Sequence, residues 1–142
     1  MSTYTNRFGD TVVQYANVSY LAIALTGEIE LSWPTQFQDT SLVVAHIMDV
    51  TPTVGAPRSI TMPDATQTSV GQDTLITNLS GATPFNVLTN TGALIATIAA
   101  GNALYIYLTN NSTVAGAWRT VGFGLGVPVI TSIGATALNA NL

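Results

Sequence analysis

The stretch Asn90-Thr-Gly-Ala-Leu-Ile-Ala-Thr-Ile-Ala-Ala-Gly-Asn-Ala-Leu-Tyr-Ile-Tyr-Leu108 carries two strands and the turns that bound them. Asn90-Thr91-Gly92 separates Phe85–Leu88 from Ala93–Ile98. An Asn-x-Gly bend between two apolar, β-branched runs predicts a hairpin. Gly101-Asn102 turns the chain again, and from Ala103 to Leu108 the aliphatic Leu104, Ile106 and Leu108 alternate with Tyr105 and Tyr107. A period of two places the aliphatic set on one face of a sheet and the tyrosines on the other.

The same texture extends in both directions. Ser59–Met62, Thr74–Thr77 and Ala117–Val121 read as strands, separated by the long turn Pro63–Gly71 and by Asn110–Thr113. Thr-Asn pairs close three strands, at Thr77, Thr89 and Thr109. Val18–Trp33 is one long run. Its second half sets Ile29, Leu31 and Trp33 against Glu28, Glu30 and Ser32, the pattern of a half-buried strand. Leu42–Val50 reads as a buried strand. Short strands between closely spaced Gly and Pro residues point to an all-β sandwich or barrel. The expected fold is an antiparallel, jelly-roll-like β-sandwich. Residues 58–126 form its core, residues 1–57 supply N-terminal strands and an attachment region of the same sandwich, and residues 127–142 form an extended connector.

Composition narrows the function. Of 142 residues only 7% are charged while 47% are hydrophobic, against about 25% charged in ordinary soluble domains. There is no lysine, and Arg7, Arg58 and Arg119 are the only permanent cations. With a net charge of −4 and no basic cluster, neither nucleic acid nor an anionic membrane is an expected partner. The 22 Thr, 9 Ser and 10 Asn must carry solubility. So little charge implies that much of the surface is covered by copies of the chain or by partners. Cysteine is absent, which excludes disulfides and thiolate metal sites. The opening Met1–Arg7 lacks the basic-then-apolar order of an export signal.

Residues with catalytic potential are few. Glu28 and Glu30 share a strand face, and paired carboxylates can hydrolyse glycosides; a solvated strand face accounts for them more simply. His46, the single histidine, has Asp49 three residues on, but on a strand those two point opposite ways. It is expected in the core or at an interface. Asp64 and Asp73 flank the Pro63–Gly71 turn without the alternating oxygen ligands of a calcium loop, so a capping or Asx-turn role is expected. Gly122-Phe-Gly-Leu-Gly126 lacks the lysine and following helix of a phosphate loop and reads as a flexible exit. The expectation is a chain with no enzymatic activity, no cofactor and no metal. Its interface candidates are Tyr105, Tyr107 and Trp118, together with Val129, Ile130, Ile133 and Leu138 of the uncharged connector.

From Ile60 to Gly124 the chain runs through Met62-Pro-Asp-Ala-Thr66, Gly71, Thr77-Asn78, Asn90-Thr-Gly92, Ala100-Gly101 and Gly116-Ala-Trp118. This order resembles the β-sandwich modules of tailed-bacteriophage virion proteins, above all tail fibres and tail spikes. The resemblance implies a structural protein of the virion, assembled in the host cytoplasm. It would act as a homotrimer that attaches a fibre or spike, with other virion proteins as partners and a host surface glycan as a further candidate. Alternatives are a capsid decoration or head-fibre protein, and a carbohydrate-binding receptor module.

Overall fold

The computed structural model describes residues 3–5, 11–13, 19–34 and 42–124. Strands β1 (Thr3–Thr5) and β2 (Thr11–Val13) pair antiparallel as a small sheet of their own. The other nine strands are β3 (Tyr20–Leu25), β4 (Glu28–Glu30), β5 (Ile47–Pro52), β6 (Ser59–Thr61), β7 (Asp73–Asn78), β8 (Phe85–Leu88), β9 (Leu94–Ile98), β10 (Asn102–Asn110) and β11 (Ala117–Gly124). They form a five-stranded sheet, β11-β10-β7-β5-β3, and a four-stranded sheet, β4-β6-β8-β9. The two pack together in a sandwich-like arrangement.

The sheets are mixed, which corrects the antiparallel, jelly-roll-like expectation. β3, β5 and β7 are parallel neighbours in one sheet, and β4, β6 and β8 are parallel neighbours in the other. Parallel strands need a long crossover, usually a helix. Here each crossover runs through a strand of the opposite sheet, so β3–β4, β5–β6 and β7–β8 are three successive passes through both layers. The chain then reverses. β9 folds back on β8, β10 returns to the first sheet antiparallel to β7, and β11 folds back on β10. The long run Val18–Trp33 divides at Thr26-Gly27 between the two sheets, and the half-buried strand expected in its second half is β4. Leu42–Val50 divides too: Val43, Val44 and Ala45 are buried before β5 begins at Ile47.

Between the layers lie Ile23, Leu25, Met48, Val50, Ile76, Leu104 and Ile106 from one sheet and Ile60, Phe85, Val87 and Ile98 from the other, joined by Leu31 and Met62. Within the five-stranded sheet one inward row is Leu21, Met48, Ile76, Leu104 and Gly122, each the register partner of the next. Gly122 and Gly124, expected in a flexible exit, pair in β11 with Leu104 and Asn102. The expected hairpin over Asn90–Gly92 is present: the Thr89 amide donates to Ala93 O, and the Gly92 amide to Thr89 O. The connector 127–142 lies outside the described residues.

The three Thr-Asn pairs have a common task. Each asparagine amide holds the backbone where its strand ends. Asn78 Oδ1 accepts from the Ser80 amide, Asn90 Nδ2 donates to Met62 O, and Asn110 Oδ1 accepts from the Ser112 amide.

Candidate functional site

Two surfaces concentrate the side chains that can do something. The first is the outer face of the five-stranded sheet. Here the register aligns Tyr20, Ile47, Leu75, Tyr105 and Val121 across all five strands. The flanking row is Ala22, Asp49, Thr77, Ala103 and Phe123. Tyr20, Ile47, Val121 and Phe123 are exposed; Phe123 keeps 51% of its surface open to solvent. The four-stranded sheet is the opposite case. One of its outer rows is Glu28, Ser59, Asn86 and Thr97, and the Thr97 hydroxyl donates to Asn86 Oδ1. The outer face of the four-stranded sheet is mainly polar, although its other row, Glu30, Thr61, Leu88 and Leu94, leaves Leu94 60% exposed. That of the five-stranded sheet has an aromatic and aliphatic centre flanked by Asp49, Asp73 and Arg119.

Polar contacts on the apolar face are few and paired. The Tyr20 hydroxyl donates to Asp49 Oδ2 at 2.8 Å, and the Tyr105 hydroxyl to Asp73 Oδ2 at 2.5 Å. The Tyr105 and Tyr107 rings lie 5.6 Å apart. Asp73 thus sits within β7 facing Tyr105, not in the turn role expected of it. Asp64 does fill that role: its Oδ1 caps the short 3-10 turn Ala65–Gln67 by accepting from the Thr66 amide and hydroxyl. The His46 side chain is 72% exposed, with Nδ1 3.8 Å from Asp73 Oδ1, which removes the core half of the core-or-interface expectation. It precedes β5 at the sheet margin, where its backbone carbonyl accepts from the Leu75 amide. Glu28 and Glu30 are exposed on β4. Among the described residues, no three of His, Asp and Glu come together as a metal-binding group, and no helix is long and apolar enough to cross a membrane.

The hydrogen bond to the neighbouring carboxylate raises the pKa of both Tyr20 and Tyr105 above the usual 10.0, because ionisation would destroy the bond and set two anions together. Both bonds are therefore in place below pH 10.0 and are lost as pH climbs through the raised values. A tyrosinate absorbance titration should show a late-ionising component. Replacing both residues by Phe should remove it, and an unchanged late component would place it on other tyrosines.

The second surface is a cleft of about 440 Å³ lined by Leu31, Ser32, Trp33, Pro34, Pro63, Asp64, Gln67 and Asn90. Trp33 stacks on Trp118 with ring centroids 6.5 Å apart, and its indole N–H donates to Asp64 O at 2.7 Å. Trp118 thus packs inward on the core and is not on the face of Tyr105 and Tyr107, as its register with Leu108 requires. Gly116 makes this packing possible. Its φ is +69°, and a Cβ there would stand 2.5 Å from the Ala65 side chain. The Pro63–Thr66 turn, Asn90 and Gly116–Trp118, far apart in sequence, converge on Trp33. Of the interface candidates read from the sequence, Tyr105 and Tyr107 share the outer face; Val129, Ile130, Ile133 and Leu138 lie outside the described residues. Sequence reasoning missed Tyr20, Ile47, Val121 and Phe123.

Comparison with family models, with curated proteins and with solved structures finds no match to this chain.

Proposed function

We propose that this chain is a non-catalytic structural module of a tailed-phage virion, an attachment part of a tail fibre or spike that works as a homotrimer. The observation that carries the assembly half of the reading is the apolar row at the centre of the five-stranded sheet's outer face. A sandwich that stands alone in water keeps polar residues on both. Here a row of Tyr20, Ile47, Leu75, Tyr105 and Val121 crosses one face without a charge, flanked by Asp49, Asp73 and Arg119, and exposed apolar patches mark association sites. The low charge of the whole chain agrees with it. Placement in a virion, and the number three, rest on the resemblance of Ile60–Gly124 to tail-fibre and tail-spike modules.

Light scattering on the purified chain should give the mass of three copies. Ile47→Lys with Val121→Lys sets two charges within the apolar row, where desolvating them on association costs several kcal/mol. The double variant should run as a folded monomer, while Thr97→Lys on the polar face should leave the trimer intact. A monomeric parent chain, or a trimer indifferent to the Ile47 and Val121 changes, would remove this face as the interface.

A further inference from the structure

We infer that the cleft around Trp33 is a binding site for a neutral saccharide, a reading that stands independently of the assembly proposed above. Its volume, about 440 Å³, falls within the roughly 300–1,000 Å³ of small-molecule sites. The lining is of two kinds. Trp33, Pro34 and Pro63 give flat apolar walls, while Ser32, Asp64, Gln67 and Asn90 supply hydroxyl, carboxylate and amide groups. A pyranose ring presents the matching pattern, an apolar C–H face and a rim of hydroxyls that both donate and accept. Aromatic rings bury large apolar area at fixed geometry, and Trp33 is fixed on both sides by the Trp118 stack and the bond from its indole N–H to Asp64 O.

The polar groups have capacity to spare. Asp64 Oδ1 is engaged by Thr66, while Oδ2 accepts from no described residue. Asn90 uses Nδ2 on Met62 O, and its Oδ1 can still accept. Gln67 is exposed at the cleft mouth. Charge settles the ligand class. Among the described residues no Lys, Arg or His lines the cleft, and Asp64 would repel a carboxylate, sulfate or phosphate group. One carboxylate with amides and hydroxyls therefore selects a neutral sugar over an acidic one.

Trp33 and Trp118 are the only tryptophans in the chain, so tryptophan emission reports on this cleft alone. The test titrates the full chain with neutral glucose, galactose and mannose oligosaccharides, following tryptophan emission and saturation-transfer NMR, with a sialylated oligosaccharide as the acidic comparison. At least one neutral sugar should shift the emission and give saturation transfer, and the sialylated one should not. Gln67→Ala should weaken binding about tenfold, the scale of one lost hydrogen bond. Asp64→Asn keeps the Oδ1 cap on Thr66 while removing the charge. It should weaken neutral-sugar binding and lower the discrimination against the acidic sugar. Absence of both signals across the neutral panel at tens of millimolar would overturn the inference. So would binding that survives Gln67→Ala and Asp64→Asn but is lost in Tyr105→Ala with Tyr107→Ala. Trimer formation is unaffected by either outcome, so the two readings fail separately.

Discussion

A chain cut to begin at Arg58 should not fold. Residues 58–126 carry the hairpins and the most regular alternation, but both sheets draw strands from either side of that boundary. β5 lies between β7 and β3, so the cut strips β7 of its parallel partner along Ile47–Val50. β4 is lost from the other sheet. Ile23, Leu25, Leu31, Val44, Met48 and Val50 leave the core together. At about 1.5–3 kcal/mol for each fully buried side chain, their contribution is roughly 9–18 kcal/mol. That is comparable to the entire stability of an ordinary domain, about 5–15 kcal/mol. Circular dichroism should show loss of the strand signal, and the proton–nitrogen NMR spectrum should collapse into the random-coil range. A dispersed spectrum from residues 58–126 alone would mean that the early strands are an addition to a self-sufficient unit.

The strands that folded as read are those whose pattern is local. The alternation in Leu104–Leu108 depends only on neighbours two residues apart, and the Asn90–Gly92 turn closes a hairpin between strands five residues apart in the chain. Strand direction is another matter. A half-buried strand alternates identically whether its neighbour is parallel or antiparallel, and sheets with parallel pairs usually advertise themselves through intervening helices. Here the crossovers are themselves strands, so nothing in the alternation distinguishes the two cases.

The outer face was half legible for the same reason. Tyr105 and Tyr107 could be placed outward from their own strand. That Tyr20, Ile47 and Leu75 share the Tyr105 row depends on register between strands more than twenty residues apart, whereas Val121 joins it through the β10–β11 hairpin. One signal was available: Tyr20, Ala22 and Ala24 alternate with Leu21, Ile23 and Leu25, a strand with apolar residues on both faces. Trp118 lies one residue out of phase with the outward Arg119, so its parity places it on the inward face, away from Tyr105 and Tyr107. The cleft was not legible at all, since it forms where three motifs meet around Trp33. Each motif proves to be a local device, a cap at Asp64, a backbone bond from Asn90 and a close approach at Gly116.

Asn78 is the polar side chain on which the joining of the two sheets depends most, and its replacement should be among the most damaging single changes. It ends β7 with no solvent exposure. Nδ2 donates to Thr83 O at 2.8 Å and to Ile98 O, at the end of β9 in the opposite sheet, at 3.0 Å, while Oδ1 accepts from the Ser80 amide at 2.9 Å. Asn78→Ala removes all three bonds, strands buried backbone groups and opens a small cavity, for an expected loss of about 3 kcal/mol. Asn78→Asp is nearly the same shape and separates hydrogen bonding from packing. The carboxylate still accepts from Ser80 but turns an oxygen toward the carbonyls of Thr83 and Ile98. A buried carboxylate facing two carbonyl oxygens costs about 3–5 kcal/mol at neutral pH and has its pKa raised above the unfolded value of about 3.9. The sign follows from proton binding. The folded variant binds a proton more tightly than the unfolded chain, so the penalty is greatest above the raised folded pKa. It shrinks as pH falls through that value and is least below about 3.9. Recovery is incomplete, because a protonated carboxyl donates one hydrogen bond where the amide donates two. Urea unfolding of parent and variant at neutral and at acid pH measures the gap directly. A gap that does not narrow in acid, or an Asn78→Ala cost below about 0.5 kcal/mol, the level of an ordinary surface change, would show that Asn78 does not hold the sheets together.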